Sequence, residues 1–157
     1  MKLVYLSRAN VEAVGLSMPE IIESVTAAFR EKGNGRIEMP PKPGVHPGAN
    51  TFAHAMPAYI SGMQSAGVKW VGGNPANRAR GLPYISGLLI LNDVQTCVPY
   101  AVMDCTWITG YRTGAATAVA RMRAGTARRT TFMLMFLPAA GPRDTCRETA
   151  LRTVAAR

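Results

Sequence analysis

Between residues 103 and 120 the chain reads Met-Asp-Cys-Thr-Trp-Ile-Thr-Gly-Tyr-Arg-Thr-Gly-Ala-Ala-Thr-Ala-Val-Ala, and this run limits the possible folds more than any other. It predicts the end of a strand, a polar start signal and a helix clothed mostly in small side chains. Asp104 or Thr106 can cap that helix by accepting hydrogen bonds from backbone N–H groups without a partner in the first turn. Gly110, Gly114 and Ala118 recur every four residues and so line one helix face, where a backbone or a ligand can approach closely. Arg112 is the single charged side chain between Asp104 and Arg121. A guanidinium on such a helix suits a planar anion, which it grips through two parallel hydrogen bonds. A surface salt bridge is the alternative use of the same residue.

The preceding residues predict an α+β arrangement. Residues 3–6 (Leu-Val-Tyr-Leu) have the length and apolarity of a short strand. Ser17-Met18-Pro19-Glu20 spells a capping box, with Leu16 and Ile21 placed as a hydrophobic staple. Ile21, Ile22, Val25, Ala28 and Phe29 continue as a helical stripe, and Lys32-Gly33-Asn34-Gly35 ends it with a cation and glycine. Four prolines between Glu38 and Gly48 forbid a helix or central strand there and predict an extended edge. Lys42 lies among them, held by rigid neighbours or simply solvated. Thr51–Pro57 and Ala66–Val71 predict strands, the second carrying Lys69 either toward solvent or toward a buried anion. Residues 72–83 form a loop punctuated by glycine and proline, of the kind that often carries function. Ile85–Leu91 and Val98–Met103 predict a hairpin around Asn92–Thr96.

Composition narrows the function classes. The 157 residues fit one domain with a real core, and an apolar content of 48% is not that of a disordered chain. Cys97, Cys105 and Cys146 have neither metal-ligand nor redox spacing, and no metal site is expected; His46 and His54 are expected to be structural or surface residues. No run approaches the ~18 apolar residues of a membrane span, and the first residues do not form a signal peptide, so the expected location is cytoplasmic with no membrane partner. The formal charge is +9, but residues 1–120 hold ten Lys/Arg against seven Asp/Glu, while residues 121–157 hold eight Arg against one Asp and one Glu. The excess therefore lies in a tail without a nucleic-acid-binding motif, and no nucleic-acid partner is expected.

Several of these pieces together resemble the ornithine cyclodeaminase/mu-crystallin family of nicotinamide-dependent enzymes. They are Met56-Pro57, Lys69-Trp70-Val71, the loop from Gly73 to Pro83, Ala101-Val102-Met103-Asp104, Ile108-Thr109 and Arg112-Thr113 with the small residues after it. The resemblance runs through about residues 1–120. It implies a substrate-binding and dimerisation domain there, paired in the family with a Rossmann domain for NAD or NADP and assembled as a homodimer. It also implies that Lys69 and Arg112 hold the carboxylate of a small amino- or imino-acid substrate, with Lys42 standing where the family commonly has arginine. Tyr84, Arg112 and Thr113 fall at cofactor-facing positions. Position 84 is typically threonine in ornithine cyclodeaminases, so Tyr84 departs from the ornithine pattern.

The reaction the resemblance implies is oxidation of an amino acid to an imine, with cyclisation and loss of ammonia in the cyclodeaminases, or the related imine reduction. No residue of this chain is assigned as catalytic, because the family's proton-transfer acid belongs to a later part. After Ala120 the family's Gly-x-Gly-x-x-Gly loop is not found. Residues 121–157 are instead rich in Arg, Ala and Thr, which fits either a shifted reading frame or a divergent tail. The Rossmann domain is therefore expected to be absent and the chain alone inactive. A non-catalytic amino-acid-binding or dimerisation protein of the same fold is the alternative, followed by a basic nucleic-acid-binding protein.

Overall fold

The computed structural model describes residues 2–123. The chain runs β1 (Val4–Leu6), α1 (Arg8–Ala13), α2 (Met18–Gly33), β2 (Ile37–Glu38), β3 (Gly44–Val45), β4 (Phe52–Ile60), β5 (Ser65–Gly73), β6 (Ile85–Asn92), β7 (Pro99–Asp104) and α3 (Thr106–Arg123). The strands form one mixed sheet in the order β1-β7-β6-β5-β4-β2, with β3 also on β4. Only β1 and β7 pair in parallel; the other pairings are antiparallel. The expected α+β class, the 85–104 hairpin and the helix after Asp104 are all present. Expectations about the basic tail fall outside the described residues, apart from residues 121–123, which lengthen α3.

Local chemistry accounts for the elements. Glu20 closes the capping box of α2 by accepting from the Ser17 N–H at 2.8 Å and the Ser17 hydroxyl at 2.6 Å. Asn34 and Gly35, the latter at φ +71°, end the helix. Helix α1 lies outside the sequence expectations: Asn10 takes the glutamate's part, accepting from the Ser7 N–H at 3.0 Å while its own N–H donates to the Ser7 hydroxyl at 3.3 Å. At α3 the Asp104 carboxylate accepts from the Thr106 N–H at 2.9 Å. The loop after β5 coils into a short 3-10 turn, Pro75–Arg80, capped by Asn74 and stopped by Gly81.

The proline-rich segment does lie along an edge. Ala55 N–H donates outward to the Pro43 carbonyl at 3.0 Å, and Ser61 N–H donates outward to the Arg36 carbonyl at 3.1 Å. Backbone donors alternate sides along a strand, so the Pro57 nitrogen also faces outward. There it falls in the gap between the β3 pairing at residues 53–54 and the β2 pairing at 59–60. A proline is tolerated in β4 because no ladder bond is required of it at that point.

The two faces of the sheet differ. One carries Val4, Ala101, Leu89, Lys69, Val71 and Met56, as the registers and side-chain alternation require. The helices lie over this face, α3 against β6, α1 against β7 and α3, and α2 chiefly against α3. The core sits between these layers, at Val11, Ile21, Val71, Ala101, Cys105, Ala115 and Val119. The opposite face leaves Tyr5, Trp70 and Leu88 exposed, at 67%, 47% and 38%.

Ala115 is fully buried, so its methyl group sets how closely α3 approaches its neighbours. Ala115→Leu is expected to lower stability by about 1–3 kcal/mol, the usual cost of overpacking. Denaturant unfolding measures this; an unchanged midpoint and slope would show that α3 is not held by close packing there.

Candidate functional site

Lys69 lies at the centre of β5 with Met56 directly opposite it on β4 and Leu89 opposite it on β6. It therefore stands as a half-buried cation in an apolar row. Arg112 comes from above, about two turns into α3, and is exposed. Lys42 comes from the edge segment between β2 and β3 and is also exposed.

The Lys69 ammonium is held below the usual lysine range, first by burial and then by the positive charge of Arg112, with Lys42 adding to the same effect. Lys69 thus lies within electrostatic reach of both Arg112 and Lys42. Arg8 pairs with Glu12 and Arg36 with Glu31, whereas none of the three cations takes part in an ion pair or a hydrogen bond among the described residues. Three unneutralised cations around a partly buried centre produce a potential that favours an anion.

Beneath them lies Cys105, fully buried at the junction of β7 and α3. Its N–H donates to the Gly87 carbonyl at 3.0 Å. Burial pushes its thiol above the usual range, opposed by the Thr109 hydroxyl 3.8 Å from Sγ and by the charges of Lys69 and Arg112. A thiol kept neutral by burial does not compensate the positive charge near it. Sequence spacing had marked Cys105 only as an unpaired cysteine; its place under the cations depends on the crossing of α3 over β6.

Tyr84 and Thr113 are not drawn into this cluster by any contact. The Tyr84 carbonyl accepts from the Asn74 N–H at 2.9 Å, and its ring lies 5.7 Å from the Arg78 guanidinium carbon. The Thr113 hydroxyl donates to the Thr109 carbonyl of its own helix at 2.7 Å. Gly110 and Gly114 face open space, where an added Cβ would meet nothing within 4 Å. The strand-to-helix junction at Asp104-Cys105-Thr106 has no glycine, so it is not a glycine cradle for the diphosphate of a dinucleotide. A cavity of about 470 Å³ lies beyond the end of β5, lined by Thr51, Phe52, Gly73, Asn74, Asn77 and Ser86 among others, and none of the three cations lines it. Its asparagines are occupied with the Pro75–Arg80 turn and the Pro83 carbonyl.

The model of the ornithine cyclodeaminase/mu-crystallin family matches residues 1–134. The nodulation efficiency protein NfeD of Rhizobium meliloti is 43% identical over 115 residues, which are 73% of this chain and 36% of that protein. Among solved structures, an archaeal alanine dehydrogenase dimer with bound NAD superposes with a TM-score of 0.69 at 41% identity, over 74% of this chain and 35% of that one. The Δ1-pyrroline-2-carboxylate reductase of Thermococcus litoralis, in complex with NADH and L-proline, does so with a TM-score of 0.72 at 39% identity, over 75% of this chain and 36% of that one. The chain thus spans little more than a third of the length of these relatives. It belongs to the ornithine cyclodeaminase/mu-crystallin family.

The depressed Lys69 gives a pH signature. In the unfolded chain Lys69 recovers the ordinary value of 10.5, so at neutral pH the unfolded state holds this proton more tightly than the folded one. Its penalty on folding is complete below the folded value and is relieved as pH rises from there toward 10.5. Relative to Lys69→Met, the wild type should therefore gain stability across that alkaline window. Chemical denaturation of both proteins from neutral to alkaline pH measures it, and parallel curves would contradict the assignment.

Proposed function

We propose that this member of the ornithine cyclodeaminase/mu-crystallin family carries the carboxylate-binding half of a nicotinamide-dependent enzyme of amino-acid metabolism. The observation behind this reading is that the charges of Arg112 and Lys42 both act on Lys69, with no ion pair to any of the three among the described residues. Arg112 grips the substrate carboxylate with its planar fork. Lys69 adds a fixed charge from the sheet, and Lys42 closes the outer side. Two cations from separate elements fix both the position and the rotation of a carboxylate, which sets the α-carbon in one orientation. Such positioning supplies much of the rate in reactions of this kind.

Alanine dehydrogenase and Δ1-pyrroline-2-carboxylate reductase, the two solved relatives, are named for small acids whose reacting carbon adjoins a carboxylate. A site that reads the carboxylate first suits this shared chemistry. NAD or NADP supplies the hydride exchange in the proposed enzyme. The residues described act on the acid, binding and orienting it and screening it from water. Tyr84, Arg112 and Thr113 are proposed to face the nicotinamide end, with the dinucleotide domain lying outside residues 1–120. On this reading residues 1–120 bind substrate without turning it over. The exposed apolar face bearing Tyr5, Trp70 and Leu88 is proposed to be covered by a second copy, a patch of this kind being a usual mark of association.

Titration calorimetry of the chain with pyruvate tests the grip. Arg112→Ala should weaken binding by about 1.5–3 kcal/mol, the worth of a hydrogen bond to a charged group. Arg112→Lys should restore only part of it, because a point charge lacks the fork. Equal affinities for wild type and Arg112→Ala would remove the proposed role.

A further inference from the structure

One histidine belongs to the same face of the sheet as the cations. His54 pairs with Val71, and Met56 pairs with Lys69. Directly opposed residues share a face, as do alternate residues of one strand. His54 is therefore the diagonal neighbour of Lys69, on the face of the sheet that Lys69 occupies. Its ring is held in place: it stacks on Phe52 at 4.7 Å and 25°, and meets the His46 ring edge-on at 6.0 Å and 78°. Gly44 opposite makes room, since a Cβ there would collide with the imidazole. Lys42 acts on both residues, lowering the affinity of His54 and of Lys69 for a proton.

The acids of residues 2–123 are engaged or placed elsewhere. Glu12 pairs with Arg8 and Glu31 with Arg36. Glu20 closes the α2 box, and Asp93 accepts from the Gln95 and Thr96 N–H groups in the β6–β7 turn. Asp104 is the nearest to the site, through its effect on Cys105, but its oxygens accept from Thr106. Glu38 pairs with Tyr59, which points to the opposite face from His54 and Met56. Glu23 is exposed on α2. A neutral imidazole beside a lysine thus stands where a positively charged side chain would need a carboxylate.

We infer that His54 forms the side-chain wall of the carboxylate site, and that its cation-flanked lining selects amino or imino acids whose side chain carries no positive charge. This rests on the reading of Lys69 and Arg112 as the carboxylate grip, and it names the substrate class that the grip serves. A distal ammonium entering this wall meets the charge of Lys42 and finds no anion among the described residues to receive it. An aliphatic or hydroxylated side chain meets the ring of His54 without such a cost.

The probes are L-norvaline and L-ornithine, which share a carbon skeleton and differ by the δ-ammonium. Titration of the intact chain at neutral pH should show norvaline binding at least about tenfold tighter than ornithine, the ratio that 1.4 kcal/mol of discrimination produces. His54→Glu should collapse or invert the ratio. Amide NMR spectra check that this variant folds; if it does not, Lys42→Met, which removes the repelling charge, should narrow the ratio instead. Equal wild-type affinities for the two amino acids, or a ratio unmoved in the folded variant, overturn the inference while leaving the grip standing. Failure of the wild type to bind either amino acid or pyruvate overturns the grip itself, and this inference with it.

Discussion

The close burial of the small side of α3 is the constraint on which the site depends. Ala115 is fully buried, as is Cys105 immediately before the helix, and Val119 is 4% exposed. Side chains of this size let the helix lie close enough to the sheet and to α2 for Arg112 to act on Lys69. Two like charges in that relation repel, and neither has a partner among the described residues to relieve it. Apolar packing elsewhere on the same helix holds them together. On the proposed reading an arriving anion relieves this repulsion, and the contacts that build the core also prepare the site.

The sheet serves this arrangement from below. Its helix-covered face is mostly apolar, and Lys69 and His54, which interrupt it with titratable groups, lie on β5 and β4 beside the proline-rich edge that carries Lys42. Pro57 marks the gap in that edge where β4 has no outer neighbour. The opposite face, with Tyr5, Trp70 and Leu88 exposed, is free of these charges and available for a different task. On the proposed reading, one face of the sheet serves a small anion and the other association.

Much of this was legible in the chain. Ser17 and Glu20 announce α2, the glycine and asparagine at its end stop it, and alternating apolar runs mark the 85–104 hairpin. Lys69 and Arg112 stand out because each is a lone charge among apolar or small neighbours. Helix α1 was hidden because Asn10, rather than the more familiar glutamate or glutamine, completes its cap. The partnership of His54 and Lys69 was invisible for a different reason. It depends on the register of β4 against β5, and a shift of one residue would place the two side chains on opposite faces. Cys105 was overlooked likewise, since its position under the cations follows from how α3 crosses β6.

Direct titration of the Lys69 ammonium by heteronuclear NMR, in the wild type and in Arg112→Gln, tests the convergence on which everything else rests. The wild-type group should titrate below an ordinary lysine, move upward when the arginine charge is removed, and move upward again when pyruvate occupies the site. A Lys69 that titrates like a free lysine, and does not respond to either change, would contradict the account.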